Sequence, residues 1–218
     1  MKKKTLVIHP KDPSTDFLCE IYRDREFTEI KEGFETDKLK NLIGEHDRII
    51  LLGHGYHNGL LNYYETIIDD SFAELLKEKE VVGIWCYAQA FFERHQLCGF
   101  HTDMFISEPD EATVMGISAT QKSIEISNRV FAKAVRKNLF RPDCYNRILQ
   151  YYKCLSSPVA QFNQERLYYR NTDGVLQGCE NPSIANWATN FVNENLSDLS
   201  AILRDNPGLL TALINKTN

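Results

Sequence analysis

The sequence predicts an α/β fold with a parallel-dominated sheet, followed by a helix-rich C-terminal extension. Short, continuous apolar runs such as RIILL at 48–52 and VVGIW at 81–85 are typical of strands that are buried on both faces. Amphipathic stretches separate these runs, and that alternation indicates parallel βαβ units. The 218 residues are 43% hydrophobic and 25% charged, which are ordinary values for a chain with one large domain.

The first 140 residues contain the signals for the core elements. A strand is expected over 4–9, where the polar loop KDPSTD follows, and a helix over 36–44, where apolar residues recur at helical spacing. Ser71 and Glu74 have the spacing of a capping box, which predicts a helix over 72–79. Further elements are expected as a strand at 64–69, a helix at 88–97, a mixed strand or loop region at 99–107, a strand at 113–118 and a helix at 121–139.

The pattern becomes less regular after Pro142, so residues 1–140 are assigned to the α/β core and residues 141–218 to a helical extension. No glycine- or serine-rich linker separates the two parts, so the extension is expected to pack on the core. Within it, helices are expected at 144–155, 183–196 and 200–214, with a short strand at 167–169.

Charge and composition narrow the function classes. The formal charge of −5 argues against nucleic acid as a partner. The apolar stretch behind the basic start covers only residues 5–8, and no run is long enough to span a bilayer, so we expect a cytoplasmic protein without a membrane partner. The six cysteines have irregular spacing and no CxxC, which predicts reduced thiols, and structural roles are expected for Cys19, Cys144, Cys154 and Cys179.

The strongest chemical signal is a histidine and a cysteine that follow two core strands. His54 and Gly55 come after RIILL, and Cys86 comes after VVGIW. Because parallel strands end at the same edge of a sheet, the two side chains are expected to lie side by side there. His54 can then accept the thiol proton of Cys86, while the N–H of Gly55 holds an oxyanion. The helix expected from Ala88 presents its positive end to Cys86, which favours a thiolate.

This arrangement resembles the caspase-like superfamily of cysteine peptidases, which includes caspases, gingipains, legumains, separases and bacterial CHAT domains. The resemblance covers about residues 4–140 and is carried by RIILLGHG (48–55), IIDDSFAELLKEKE (67–80), VVGIWCYA (81–88), VMGISAT (114–120) and NRVFAKAVRKNL (128–139). It implies a three-layer caspase-like fold and peptide-bond hydrolysis through a thioester on Cys86, with His54 as base and Gly55 as oxyanion donor. It also implies a peptide or protein substrate, and neither an organic cofactor nor a catalytic metal.

Loops beside the catalytic pair are expected to set the choice of substrate. The resemblance implies that this pocket draws on the loop after the first strand and on the loop after the strand beyond the cysteine. Carboxylates in these loops predict a preference for a lysine or arginine side chain. The candidate substrate-binding residues are Asp12, Asp16, Asp103 and Ser118, with Glu108, Asp110, Glu111 and Thr120 in the same loops.

Other functions remain open. Trp85 stands where many members of the superfamily have a small residue, and the chain could instead be an inactive caspase-like module that binds a partner through 141–218. A small-molecule amide or ester hydrolase could use the same dyad. The pairs His54-x-x-His57 and Cys98-x-x-His101 have zinc-like spacing, but such pairs arise often by chance, so no metal site is expected.

Overall fold

Two sheets organise residues 3–178, the part of the chain that the computed structural model describes. The strands are β1 (Thr5–Ile8), β2 (Thr28–Ile30), β3 (Arg48–Leu52), β4 (Gly55–Tyr56), β5 (Gly59–Asn62), β6 (Glu65–Ile68), β7 (Glu80–Ile84), β8 (Gly99–Thr102), β9 (Leu167–Arg170) and β10 (Leu176–Gln177). The main sheet has seven strands in the order β10-β9-β8-β7-β3-β1-β2, and β4-β5-β6 form a small antiparallel sheet.

The main sheet is mostly parallel, which confirms the α/β prediction. The strands β2, β1, β3, β7 and β8 pair in parallel, while β9 and β10 are antiparallel to their neighbours. β3 pairs directly with β7, so the predicted adjacency of the histidine and cysteine strands is also confirmed.

The order of strands reverses at β1, because β2 lies on one side of it and β3 with the later strands lies on the other. In open α/β sheets such a reversal leaves a crevice outside the carboxyl ends of the strands, where ligands commonly bind. The loops that follow β1 and β3 therefore flank the crevice.

Helices cover both faces of the main sheet and make three layers. They are α1 (Thr36–Gly44), α2 (Ala73–Lys77), α3 (Ala88–His95), α4 (Pro109–Val114), α5 (Gln121–Asn138), α6 (Cys144–Tyr152) and α7 (Pro158–Gln164), with 3-10 helices at Pro13–Ile21 and Asp70–Phe72. Alternate residues of β3 enter two different cores, because side chains along a strand point to opposite faces. Ile50 and Leu52 pack with α5 and α6, whereas Ile49 and Leu51 pack with α1 and α3.

The strand predicted at 113–118 is wrong, because helix α4 runs to Val114 and turns follow it. Pro109 occupies the first turn, and Glu108 with Glu111 forms a capping box. These helix-start signals outweigh the β-branched pattern that predicted a strand. The strand that follows the cysteine is instead β8, in the region expected to be mixed. The sequence reading missed β2, the 3-10 helix at Pro13–Ile21, the strands β4 and β5, and α7.

Residues 141–178 add both helices and strands to the same compact unit as the core. α6 packs against α5, and β9 pairs with β8 at the edge of the main sheet. The helices predicted at 183–196 and 200–214 lie outside the described residues. Within the described residues, no helix combines the length and apolar character needed to cross a membrane.

Candidate active site

The carboxyl ends of β3 and β7 bring His54 and Cys86 to one edge of the sheet. Leu52 pairs with Ile84, and the N–H of Gly53 donates to the Ile84 carbonyl at 3.1 Å. His54 and Cys86 both line a narrow cavity of about 20 Å³, closed by Phe17, Phe105 and Ser107 among others. That volume is about the space that one water molecule needs.

Asp12 and Ser14 hold the imidazole of His54 from the loop after β1. Asp12 is the N-cap of the 3-10 helix, and its Oδ1 accepts hydrogen bonds from the backbone N–H and the hydroxyl of Ser14 at 2.9 and 2.7 Å. These bonds to Ser14 lower the pKa of the Asp12 carboxyl. The Ser14 Oγ lies 2.6 Å from His54 Nε2, and an Asp12 oxygen lies 3.8 Å from the same nitrogen.

This network assigns a tautomer to the neutral ring of His54. A serine hydroxyl has one proton, and Ser14 donates it to Asp12. His54 Nε2 must therefore carry a hydrogen and donate it to Ser14. In the neutral ring, Nδ1 is then the nitrogen that can accept a proton.

The thiol of Cys86 is half-buried and faces two oxygen atoms. Sγ donates to the carbonyl of Phe105 at 3.6 Å and lies 3.7 Å from a carboxylate oxygen of Glu111. Burial, and then the charge of Glu111, raise the pKa of the Cys86 thiol far above its ordinary value. The positive end of α3 was expected to favour a thiolate, whereas burial and the charge of Glu111 favour the neutral thiol. Within residues 3–178, no hydrogen bond joins Cys86 to His54.

A strained turn follows Cys86. Tyr87 has a left-handed backbone with φ of 67°, and α3 begins at the next residue. A large side chain seldom adopts this conformation, and such strain clusters at functional sites. The strand, cysteine, tight turn and helix together present Cys86 at the top of the sheet.

Gly55 directs its backbone N–H away from the neighbouring strand β5. It faces Leu60 in the β4–β5 ladder, and the flanking bond runs from the Leu61 N–H to the His54 carbonyl at 2.9 Å. Gly55 and Leu60 are therefore a non-hydrogen-bonded pair, which leaves the Gly55 N–H outside the ladder. A Cβ at Gly55 would lie 2.1 Å from Trp85 Cδ1, so only glycine fits over the indole. Trp85 is only 2% exposed, so the bulky residue before the cysteine is part of the hydrophobic core.

The acidic residues predicted for substrate binding separate into two groups. Asp12 lies at the site, and Asp103 follows β8 with its pKa raised by burial. Glu108 and Glu111 start α4 beside Cys86, and burial with the charge of Glu111 raises the pKa of Glu108. By contrast, Asp16 is exposed on the 3-10 helix, and Ser118 is exposed between α4 and α5. Neither lines the cavities that contain His54 or Cys86.

Ser14 is the site residue that sequence reasoning missed. The only indication in the sequence was that Ser14 lies in the polar loop after the first strand. The order of strands in the sheet places this loop at one side of the crevice. A separate polar network braces this loop, since the buried ring of His9 bonds to the hydroxyls of Tyr22 and Thr15 at 2.9 and 3.2 Å. The Sγ of Cys19 lies 3.8 Å from the same ring.

A groove leads outward from His54. A cavity of about 80 Å³ lies between the loop after β1 and the end of β5, and His54, Lys11, Asn62 and Tyr63 line it. The last three residues also line a larger groove of about 830 Å³, which continues between β5 and the loop from β2 to α1. Tyr63 and its neighbour Tyr64 are exposed at the tip of the β5–β6 hairpin.

Cys98 and His101, one of the two pairs with zinc-like spacing, both bond to other groups of the protein. Cys98 donates to the Asn171 carbonyl, and the buried ring of His101 lies near Gln89 and the Gly99 carbonyl. Among residues 3–178, no group of three or more His, Cys, Asp or Glu side chains is placed to hold a metal ion.

Comparison with known proteins identifies no family for this chain. No family model and no curated protein matches it. Among solved structures, the Trp repressor binding protein from Bacillus subtilis matches with 12% identity and a TM-score of 0.39, over 64% of this chain and 99% of that one. A similarity of this size carries no information about function.

Proposed function

We propose that this protein is a caspase-like cysteine peptidase in which Cys86 is the nucleophile and His54 the general base. One observation carries the proposal: His54 and Cys86 end adjacent parallel strands and line the same cavity at the carboxyl edge of the sheet. Two features support it: the Gly55 N–H lies outside the β4–β5 ladder, and the turn at Tyr87 is strained.

The chemistry follows from these groups. His54 takes the proton from Cys86, and Sγ forms a bond to the substrate carbonyl carbon, whose oxygen becomes an oxyanion held by the Gly55 N–H. When the carbon–nitrogen bond breaks, the leaving amine takes the proton from His54 and a thioester remains on Cys86. Water then attacks the thioester with His54 as base, which releases the acid and restores the thiol.

The described conformation is a resting state for this reaction. The thiol of Cys86 points its hydrogen at Phe105, and the cavity holds no more than about one water. A peptide carbonyl can reach Sγ only when the segment around Phe105 and Ser107 moves aside. That movement would also free the thiol to bond to His54.

A substrate with a lysine or arginine side chain at the cleavage site fits the charges around Cys86. Glu111 and Asp103 both raise the pKa of the thiol. A substrate cation near these carboxylates offsets their charge, so the pKa of Cys86 falls when the right substrate binds. The groove from His54 to the exposed Tyr63 has room for the rest of an extended peptide.

Labelling with peptidyl acyloxymethyl ketones tests the function. We expect a ketone with arginine at its reactive end to modify Cys86 at least about tenfold faster than one with aspartate, and His54→Ala to slow labelling by about 100-fold. Peptide mapping by mass spectrometry identifies the modified cysteine. Cys19 is the matched control, because it also lies near a histidine, yet Cys19→Ala should leave labelling unchanged.

Two results would contradict the peptidase. One is labelling at Cys86 that does not depend on His54, and the other is no labelling of Cys86 by either ketone. The raised pKa and the narrow cavity would then favour the second candidate, an inactive module that acts by binding a partner.

A further inference from the structure

A basic pocket of about 450 Å³ lies at the carboxyl end of α5. Its charged residues are Arg25, Lys133, Arg136, Lys137 and Arg141, together with one carboxylate, Glu20. It shares no lining residue with the cavities that contain His54 and Cys86. Such a concentration of cations is unexpected in a chain whose formal charge is −5.

The carboxylates near the basic pocket neutralise only part of its charge. Arg136 pairs with Glu20 at 2.7 Å and with Asp24 at 3.2 Å. Lys137 donates to the hydroxyl of Tyr151 at 3.2 Å, which gives it no counter-charge. Among the described residues, Lys133 and Arg141 have no ion-pair partner either.

Two arginines are held together in the basic pocket. The guanidinium of Arg25 donates to the backbone carbonyl of Arg136, which anchors Arg25 against the last part of α5. Partial burial and then the charge of Arg136 lower the pKa of Arg25. Arg25 itself forms no ion pair in the described residues, so an anion bound in the pocket would offset the repulsion that it receives from Arg136.

Helix electrostatics accounts for only part of this arrangement. Cations in the last turn of a helix interact favourably with its carboxyl end, which explains Arg136 and Lys137. Arg25 follows the 3-10 helix and Arg141 follows α5, so neither belongs to that turn. The cations of this pocket therefore come from three separate parts of the chain: Arg25, helix α5 and Arg141.

We propose that the basic pocket binds a small polyanion with two or more phosphate groups. Arginine forks match the oxygen geometry of phosphate, and lysine supplies additional charge. The Tyr151 hydroxyl accepts from Lys137, so its own proton is available to donate to the ligand. A pocket of this volume suits a small molecule. The net negative charge of the chain disfavours a long polynucleotide.

Titration calorimetry on the full chain with inorganic tripolyphosphate and monophosphate tests the proposal. We expect tripolyphosphate to bind more tightly, and the double variant Lys133→Gln/Arg141→Gln to weaken it by about tenfold or more. Neither residue has an ion-pair partner, so the fold should survive, which circular dichroism checks. The control Lys122→Gln/Arg129→Gln removes the same charge from exposed positions on α5 and should change affinity by less than about twofold.

Three results would overturn the basic pocket as a polyphosphate site. These are no heat of binding with tripolyphosphate at low salt, equal weakening in both double variants, and single-stranded RNA that binds more tightly than tripolyphosphate. None of these outcomes depends on Cys86, so the pocket and the peptidase can fail separately.

Discussion

Ser14 lies between a carboxylate and the imidazole of His54, and this position gives it a function that its residue type alone does not indicate. It accepts from His54 Nε2 at 2.6 Å and donates to Asp12. The two bonds orient the ring and, in its neutral form, leave Nδ1 as the nitrogen without a hydrogen. Ser14 is therefore a positioning residue in the proposed reaction.

Ser14→Ala removes the acceptor for His54 Nε2. We expect kcat for an arginine peptide to fall about fivefold to tenfold with KM little changed, since one hydrogen bond of about 1 kcal/mol is lost. Ser14→Thr, which keeps the hydroxyl, should restore both kcat and its pH profile. Ser118→Ala is the control, because Ser118 is exposed and lines neither cavity at the site. An alanine variant at position 14 with unchanged kcat and pH profile would exclude this role.

The sequence predicts some site residues and not others for a clear reason. His54 and Cys86 directly follow long apolar strands, and the adjacency of those strands was confirmed. The contact of Ser14 depends on a 3-10 helix whose fold no short pattern announces. Glu111 was predicted only as one of several acidic residues in its loop. Its contact with Cys86 depends on the capping box that places it at the start of α4.

At the scale of the element, the hairpin β4–β5 connects Gly55 to the hydrophobic core. The Trp85 indole lies against Gly55, and its Nε1 donates to the Tyr56 carbonyl at 3.2 Å. The same indole packs on Phe91 and Phe92 of α3. Gly55, the hairpin and the helix after Cys86 are therefore all packed against the side chain of Trp85.

Gly55→Ala should disturb the packing of Trp85 against the hairpin and α3. Its Cβ would lie 2.1 Å from Trp85 and 2.6 Å from the Gly59 carbonyl, so we expect unfolding to become about 1–3 kcal/mol easier and activity to fall. Gly44→Ala at the end of α1 is the matched control, with nothing within 4 Å of its Cβ. Its free energy of unfolding should stay constant or rise by up to about 1 kcal/mol. Urea denaturation of both variants measures the difference, and an unaltered Gly55→Ala protein would refute the close packing.

Elements were predictable where hydrophobic periodicity alone determines them. Helix α5 was expected at 121–139 and covers Gln121–Asn138. The strands β4 and β5 were missed because pairing within the hairpin, rather than their own pattern, makes them extended. The strand expected at 113–118 overlaps the last two residues of α4, where the capping box at the start of the helix outweighs the β-branched pattern.

At the scale of the whole molecule, two of the buried histidines, His9 and His101, make the stability of the protein depend on pH. Burial lowers the pKa of His9 to about 4 and that of His101 to about 3. In the unfolded chain both titrate near 6.5, so below that pH the unfolded state binds more protons than the native state. The free energy of unfolding therefore falls as the pH falls, by about 1.4 kcal/mol per pH unit for each histidine.

His101→Phe separates this effect from the titration of carboxylates. The ring of His101 stacks on Phe92 at 4.3 Å and on Tyr168 at 5.8 Å, so phenylalanine suits the site. We expect the difference in unfolding free energy between the variant and the parent to change by about 1.4 kcal/mol per pH unit between about pH 6 and pH 4. Denaturant titrations across that range measure it. A constant difference would mean that His101 is protonated in the native state.

The antiparallel pairing of β9 with β8 has a consequence for synthesis on the ribosome. All four residues of β8 are buried, yet its outer partner β9 emerges roughly 60 residues later, or roughly 3–12 s at ordinary translation rates. During that interval one edge of β8 has no partner strand, and an unpaired strand edge is a template for aggregation. A lower growth temperature or a holdase chaperone should therefore raise the soluble yield of this protein. The increase should be larger than for a protein whose neighbouring edge strands are synthesised one directly after the other.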